Sequence, residues 1–128
     1  MSYRHMLRSK IHRATVTDAN VDYQGSIAID KTLMEAANIL PYEKVQVVNV
    51  TTGARLETYA IAGAHDSGTI CLNGAAAHHA KKGDTVIILS FAAIAEEQAA
   101  DFIPRIVYID ERNMVSHIES HIEASDLC

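Results

Sequence analysis

The sequence predicts a mainly β protein, built as a barrel or a sandwich. Short runs of alternating apolar and polar residues recur along the chain, and β-branched residues are concentrated in them. The stretches that suit helices are brief, whereas a parallel βαβ domain needs helices of about 10–15 residues between its strands. A length of 128 residues indicates a single domain, residues 1–128.

The first half of the chain contains one predicted helix. Asp30 is a suitable N-cap for a helix from Lys31 to about Ile39, because its carboxylate can accept hydrogen bonds from free N–H groups of the first turn. The predicted strands here cover residues 10–17, 21–23, 44–51 and 54–62. The predicted turns are residues 18–20 and 52–53.

The second half continues the β pattern. Its predicted strands cover residues 69–72, 85–91, 105–110 and 113–119, with short helical segments predicted at 74–80 and 96–101. The apolar run 85–91 is expected to be buried on both faces. The last two strands are expected to form a hairpin across Glu111-Arg112.

Composition excludes several classes of protein. The net charge of −5 has no basic excess, which disfavours a nucleic-acid partner. The longest apolar run, residues 86–95, is too short to cross a bilayer, which needs about 20 residues. The N-terminus lacks the apolar stretch of a secretory signal. These features predict a small acidic cytoplasmic domain that binds neither nucleic acid nor membrane.

The cysteines and histidines do not suggest a metal site. Cys71 lies in an apolar run and is expected to be a small buried side chain, and Cys128 ends a polar tail. His78 and His79 are adjacent, so on a helix they would point about 100° apart and could not bind one ion from one face. The segment 117–123, which alternates His and Glu, is expected to be solvated surface.

The pair Gly25-Ser26 admits two interpretations. Gly-Ser pairs are common in turns. Alternatively, Gly25 can hold a strained backbone, and the Ser26 hydroxyl can attack the carbonyl of the preceding peptide. That N-to-O acyl shift gives an ester, and elimination and hydrolysis leave a pyruvoyl group at the new N-terminus. These residues alone do not decide between a turn and a self-cleavage site.

Several motifs surround this pair in a fixed order. They are Met6-Leu7-x-x-Lys10-x-His12-x-Ala14, Gly25-Ser26-x-Ala28-Ile29-Asp30, Arg55-x-x-Thr58-Tyr59-Ala60-Ile61, Asn73-Gly74-Ala75-Ala76-Ala77-His78 and Gly83-Asp84-x-Val86-Ile87-Ile88. Together, over roughly residues 6–109, they resemble the pyruvoyl-dependent aspartate 1-decarboxylase family. Several motifs recurring at matching spacing are far more specific than any one of them.

The resemblance implies a fold and a reaction. The implied fold is a six-stranded double-psi β-barrel with short helices, assembled as a homotetramer with active sites between subunits. The implied reaction converts L-aspartate into β-alanine and CO₂ for pantothenate and coenzyme A synthesis. Self-cleavage between Gly25 and Ser26 would give chains 1–25 and 26–128. The pyruvoyl group made from Ser26 would form a Schiff base with the substrate amine, which excludes a need for pyridoxal phosphate or metal.

The resemblance also implies roles for individual residues. Tyr59 corresponds to the proton donor, and Thr58 to a residue that hydrogen-bonds the Gly25 carbonyl during cleavage and touches substrate. Arg55 and Lys10 correspond to cations near the substrate carboxylates, a role that suits the guanidinium fork. The implied site residues also include Asn73, Gly74, Ala75 and Ala76, which correspond to a substrate-holding loop, and His12, which accompanies Lys10.

The sequence departs from the family pattern at two positions and leaves two other functions open. Gln24 replaces an acidic residue common before the Gly-Ser pair, and Val48 replaces a large aromatic found in some members. Slower spontaneous cleavage, or a maturation factor that assists it, is compatible with Gln24. The alternatives are a non-catalytic β-barrel module and a thiol hydrolase that uses Cys71 and a histidine.

Overall fold

Strands dominate the residues that the structure, a computed structural model, describes: 1–24 and 26–127. The strands are β1 (Tyr3–Thr15), β2 (Asp18–Asn20), β3 (Ile27–Asp30), β4 (Lys44–Asn49), β5 (Arg55–Gly63), β6 (Ile70–Asn73), β7 (Thr85–Ala95), β8 (Arg105–Ile109) and β9 (Val115–Glu119). The helices are α1 (Lys31–Ala37) and α2 (Glu96–Ala99), with 3-10 turns at Gly74–His79 and Ala124–Asp126. The prediction of a mainly β protein with short helices is confirmed.

Hydrogen bonds join the strands into one ladder in the order β2-β6-β3-β5-β4-β7-β1-β8-β9. Three neighbouring pairs are parallel, namely β1 with β8, β2 with β6 and β3 with β5, and the other pairs are antiparallel. The described residues contain nine strands, and two of them, β2 and β3, were not among the predicted strands. The additional strands include the three-residue β2, which is too short to show a periodic pattern.

The core lies on one face of these strands, as the alternating pattern predicts. Ile11, Val47 and Ile88 are fully buried and lie opposite one another on β1, β4 and β7. The run in β7 differs from its prediction, because Val86 and Ile88 are buried while Ile87 is only partly buried. This strand therefore has a second, more accessible face rather than two equally buried ones.

Helix α1 follows β3 directly because Asp30 ends the strand and caps the helix. The Asp30 carboxylate accepts a hydrogen bond of 2.8 Å from the Thr32 N–H, which confirms the predicted N-cap. Leu33, Met34 and Ala37 are buried against the core. The helix ends at Asn38, whose left-handed backbone (φ 55°) is a common helix terminus.

The segment between β1 and β3 differs from its prediction. Residues 18–20 were expected to turn, but they form β2 and pair in parallel with β6. Residues 21–23 were expected to extend, but the Asn20 side chain accepts a hydrogen bond of 2.9 Å from the Asp22 N–H and turns the chain there. The pairing with β6, which is distant in sequence, outweighs the local turn preference.

The hairpin of β8 and β9 is confirmed, and Asn113 connects it to the rest of the fold. The Asn113 side chain accepts a hydrogen bond from the Thr15 N–H and donates to the carbonyls of Thr15 and Gly68. Asn113 is 2% exposed and has φ 62°. Within the part of the chain that the structure describes, no helix is long and apolar enough to span a membrane.

Candidate active site

Ser26 directly precedes β3, between the strands β5 and β6. The Ser26 carbonyl accepts a hydrogen bond of 2.9 Å from the Asn73 N–H at the end of β6. The residues before it, Val21 to Gln24, are exposed. Gly25, the other predicted cleavage residue, lies outside the described residues. The serine side of the predicted cleavage site is thus anchored to β6.

Tyr59 lies beside Ser26 by strand register. Ile27 pairs with Ala60 in the parallel ladder of β3 and β5, so Ser26 and Tyr59 each directly precede a paired residue on adjacent strands. Tyr59 is 40% exposed. Its phenol is therefore accessible next to the predicted reactive residue.

The predicted substrate-holding loop lies against the same segment. Asn73 is 5% exposed, and the 3-10 turn Gly74–His79 begins immediately after it. Gly74 has φ 61°, and a Cβ there would lie 3.4 Å from the Tyr23 carbonyl oxygen. Glycine suits this position because the backbone is left-handed and comes close to the chain before Ser26. Three predicted site residues therefore lie close together: Ser26, Asn73 and Gly74.

Cys71 has a role in this geometry that the sequence did not indicate. Its thiol donates a hydrogen bond of 3.1 Å to the Asn73 side-chain oxygen. Burial raises the pKa of the Cys71 thiol, and the charge of Asp18 raises it further, so the protonated form that donates is favoured. A raised pKa also disfavours the thiolate that a thiol hydrolase requires.

Thr58 and Tyr59 lie on opposite faces of β5, as alternation predicts. Thr58 is partly buried and pairs with Val45 of β4, whereas Tyr59 and Arg55 are exposed on the other face. The predicted contact between Thr58 and Gly25 lies outside the described residues. Thr58 is therefore partly buried, on the face of β5 that is turned toward the core.

Lys10 and His12 form a second group on β1, and Arg55 lies apart from them on the exposed face of β5. Arg55 precedes Tyr59 by four residues, which corresponds to about 13 Å along an extended strand. Lys10 lies on β1, which β4 and β7 separate from β5. Lys10 and His12 are thus separated from Tyr59 by two strands, whereas Arg55 shares the exposed face of β5 with Tyr59.

The electrostatics of the second group follow from its partial burial. Burial lowers the pKa of Lys10 below its ordinary value. Burial also lowers the pKa of His12, and the charges of Lys10 and Arg13 lower it further, while Asp126 opposes them. The neutral imidazole of His12 is thus favoured beside a cation.

Comparison with known proteins identifies the family. The family model described as "Aspartate decarboxylase" matches residues 2–116. The chain belongs to the aspartate decarboxylase family. A protein named "Aspartate 1-decarboxylase" from Dehalococcoides mccartyi is 56% identical over 122 residues, 95% of this chain and 98% of that one. Proteins with the same name from Thermoanaerobacter pseudethanolicus (58% over 110 residues, 86% and 94%) and Legionella pneumophila (56% over 118 residues, 92% and 89%) are also similar.

Membership of the aspartate decarboxylase family confirms the predicted family and the predicted enzyme class. It also favours the self-cleavage interpretation of Gly25-Ser26 over a simple turn. Among residues 1–24 and 26–127, no three His, Cys, Asp or Glu side chains are grouped as a metal site.

Three aromatic contacts near the predicted site residues have no signal in the sequence. The His12 ring meets the edge of Tyr108 at 5.5 Å, and Tyr108 stacks on His117 at 4.6 Å. His117 is exposed, as expected for this segment, and in β9 its ring also contacts Tyr108. Tyr59 stacks on Tyr42, with 6.4 Å between ring centroids. Each contact joins residues that are distant in the sequence.

Proposed function

We propose that this chain removes the C1 carboxylate of L-aspartate, giving β-alanine and CO₂ for pantothenate and coenzyme A synthesis. The observation that carries the proposal is the position of Ser26, next to Tyr59 by register and hydrogen-bonded to Asn73. In this proposal Ser26 supplies the electron-accepting group, Tyr59 supplies a proton and Asn73 contacts the substrate. Family membership supports aspartate as the substrate. Since L-aspartate is a cytoplasmic metabolite, the proposal places the enzyme in the cytoplasm.

The proposal includes maturation by self-cleavage between Gly25 and Ser26. The Ser26 oxygen bonds to the Gly25 carbonyl carbon, the peptide C–N bond breaks, and the serine nitrogen takes up the proton. Elimination then releases the carboxylate of Gly25, and hydrolysis releases ammonia and leaves the pyruvoyl group. Thr58 is proposed to hydrogen-bond the Gly25 carbonyl as negative charge develops there. The products are chains of residues 1–25 and 26–128 within one domain.

A pyruvoyl group fits the position of Ser26. The residues before Ser26 are exposed, and β3, directly after it, is paired on one side with β5 and on the other with β6. A cut before Ser26 therefore falls outside these two ladders, and the new chain end stays anchored. The pyruvoyl group, when formed, supplies the electron-accepting carbonyl that no side chain offers. No pyridoxal phosphate or metal is needed for that role.

The remaining residues are proposed to bind substrate and move a proton. Asn73 and the backbone of Gly74, Ala75 and Ala76 hold the substrate, since small residues let it approach the main chain. The Tyr59 hydroxyl donates the proton that replaces the departing carboxyl group, and solvent restores it. The Arg55 guanidinium binds a substrate carboxylate, with Lys10 and His12 nearby.

We propose that a second copy of the chain completes the site. Lys10 lies on β1, three strand spacings or about 14 Å from β5, so it is distant from Ser26 within one chain. We therefore include a homotetramer with sites between subunits in the proposal. The mixed parallel and antiparallel ladder is compatible with the proposed six-stranded double-psi β-barrel. A maturation factor is proposed only if purified chains remain uncut.

The decisive experiment is intact-mass spectrometry of the purified protein and of Ser26→Ala. We expect the first to contain two chains, the larger with a blocked amino terminus, and the variant to stay whole and inactive because alanine has no hydroxyl. Borohydride with aspartate should inactivate the mature enzyme, and iodoacetamide should not. A cleaved Ser26→Ala variant, or an uncut chain that decarboxylates aspartate, would contradict the proposal.

A further inference from the structure

The turn that leads into β4 contains a residue unsuited to its backbone conformation. Residues 40–43 form a turn that is closed by a hydrogen bond of 3.1 Å from the Glu43 N–H to the Leu40 carbonyl. Pro41 is its second residue, and Tyr42, its third, has φ 70°. These are the features of a type II turn, which favours glycine or asparagine at the third position. A bulky side chain is strained at positive φ.

The surrounding structure holds Tyr42 in this conformation. The Tyr42 N–H donates a hydrogen bond of 2.7 Å to the Ala60 carbonyl, and the Ala60 N–H donates one of 3.0 Å to the Glu43 carbonyl. The Glu43 carboxylate is partly buried and contacts the Arg8 guanidinium and the Ser90 hydroxyl. These contacts hold the backbone on both sides of Tyr42, so a shift of the turn does not displace the Tyr42 ring.

Burial in the core does not explain a tyrosine here, because the residue is 79% exposed. Its ring instead lies against Tyr59, with 6.4 Å between the centroids and 29° between the planes. Aromatic pairs at this separation attract one another beyond their buried area. A strained, exposed aromatic residue therefore contacts the side chain proposed to donate the proton.

We propose that Tyr42 is a positioning residue that holds the Tyr59 phenol in its reactive orientation. This inference rests on the proposed function, in which Tyr59 is the proton donor. Tyr59 is on an accessible strand face, where an aromatic side chain has more than one rotamer. The neighbouring Tyr42 ring restricts that choice, and strained residues of this kind persist where the conformation serves the site. Placing a reacting group accurately raises the rate of its step.

The test compares Tyr42→Asn with Tyr42→Phe in mature enzyme, with kcat expressed per cleaved chain. Asparagine suits the turn but has no ring, whereas phenylalanine retains the ring and the strain. We expect Tyr42→Asn to lower kcat about three- to tenfold, as loss of an aromatic pair implies, with KM within about twofold. Its Tm should stay the same or rise, and Tyr42→Phe should keep the normal kcat. A Tyr42→Asn variant with normal kcat would overturn the inference.

A double substitution shows whether Tyr42 acts through Tyr59. Tyr59→Phe alone should mature but turn over slowly, and adding Tyr42→Asn should slow it no further, because the phenol to be positioned is gone. Multiplication of the two effects would overturn the inference while leaving the proposed function intact. Normal turnover by Tyr59→Phe would instead remove the proposed proton donor, and the role of Tyr42 with it.

Discussion

Replacement of Asp30 by asparagine tests how β3 is anchored at the end opposite Ser26. Asp30 is 1% exposed, and its carboxylate accepts three backbone hydrogen bonds. Oδ1 accepts from Thr32 at 2.8 Å and from Asp66 at 3.0 Å, and Oδ2 accepts from Gly68 at 2.9 Å. In Asp30→Asn one oxygen becomes an NH₂ group, so a donor would face a donor, and the remaining bonds lose their charge assistance.

The magnitude follows from these three bonds. An unpaired buried N–H costs about 1–3 kcal/mol, and each bond to a charged acceptor is stronger than a neutral one by about 1 kcal/mol. The loop around Gly68 cannot relax easily, because a Cβ at Gly68 would lie 2.7 Å from the Arg112 carbonyl oxygen. We expect Asp30→Asn to lower the free energy of unfolding by about 3 kcal/mol, which corresponds to roughly 10 °C in Tm.

Urea and thermal denaturation at fixed protein concentration measure the loss. The matched control is Asp66→Asn, because Asp66 is exposed and its side chain accepts one hydrogen bond, from the Thr32 hydroxyl at 2.9 Å. This control should lose no more than about 0.5 kcal/mol. If Asp30→Asn were no less stable than Asp66→Asn, the three bonds would not anchor β3 as argued.

Two further predictions concern Arg55 and His12. Arg55→Ala should raise the KM for aspartate by about 10- to 100-fold and leave chain cleavage normal, because a bound carboxylate loses its guanidinium partner. Steady-state kinetics measures the KM, with the exposed Arg112→Ala as the control. Equal KM values in the two variants would refute the carboxylate role. The lowered pKa of His12 means that the unfolded chain binds its proton more readily, so this residue costs stability as pH falls below the ordinary imidazole pKa of about 6.5. His12→Gln should therefore lose less stability than the parent between pH 7 and pH 5 in urea denaturation, whereas exposed His79→Gln should follow the parent.

The sequence predicted local features well where adjacent residues determine them. Asp30 was correctly predicted to cap the helix that follows it, and the alternation from Arg55 to Tyr59 gave the correct faces of β5. It failed at residues 18–20, where pairing with β6 makes a strand out of a turn-like segment. It also missed Tyr42, since a Pro-Tyr pair in a loop does not reveal that the ring will meet Tyr59.

The candidate site was predictable in its residue types but not in its arrangement. The motifs around Ser26 and Asn73 pointed to the correct family, because several motifs that recur together at matching spacing are specific to it. The hydrogen bond from Cys71 to Asn73 could not be predicted, because it depends on side-chain orientation at the end of β6. The spacing of Arg55 and Tyr59 along β5 follows from the sequence, but the strands that surround them are known only from the strand order.

The amino-acid sequence alone determined the mainly β character, the helix cap and the set of groups available for chemistry, because these depend on side-chain type and on neighbours within a few residues. The tertiary structure decided that Ser26 precedes a strand that lies between β5, which contains Tyr59, and β6, which ends at Asn73. It also decided that two strands separate Lys10 from β5. Strand order and register result from the burial of the whole core at once. No local pattern encodes which distant strands will be adjacent.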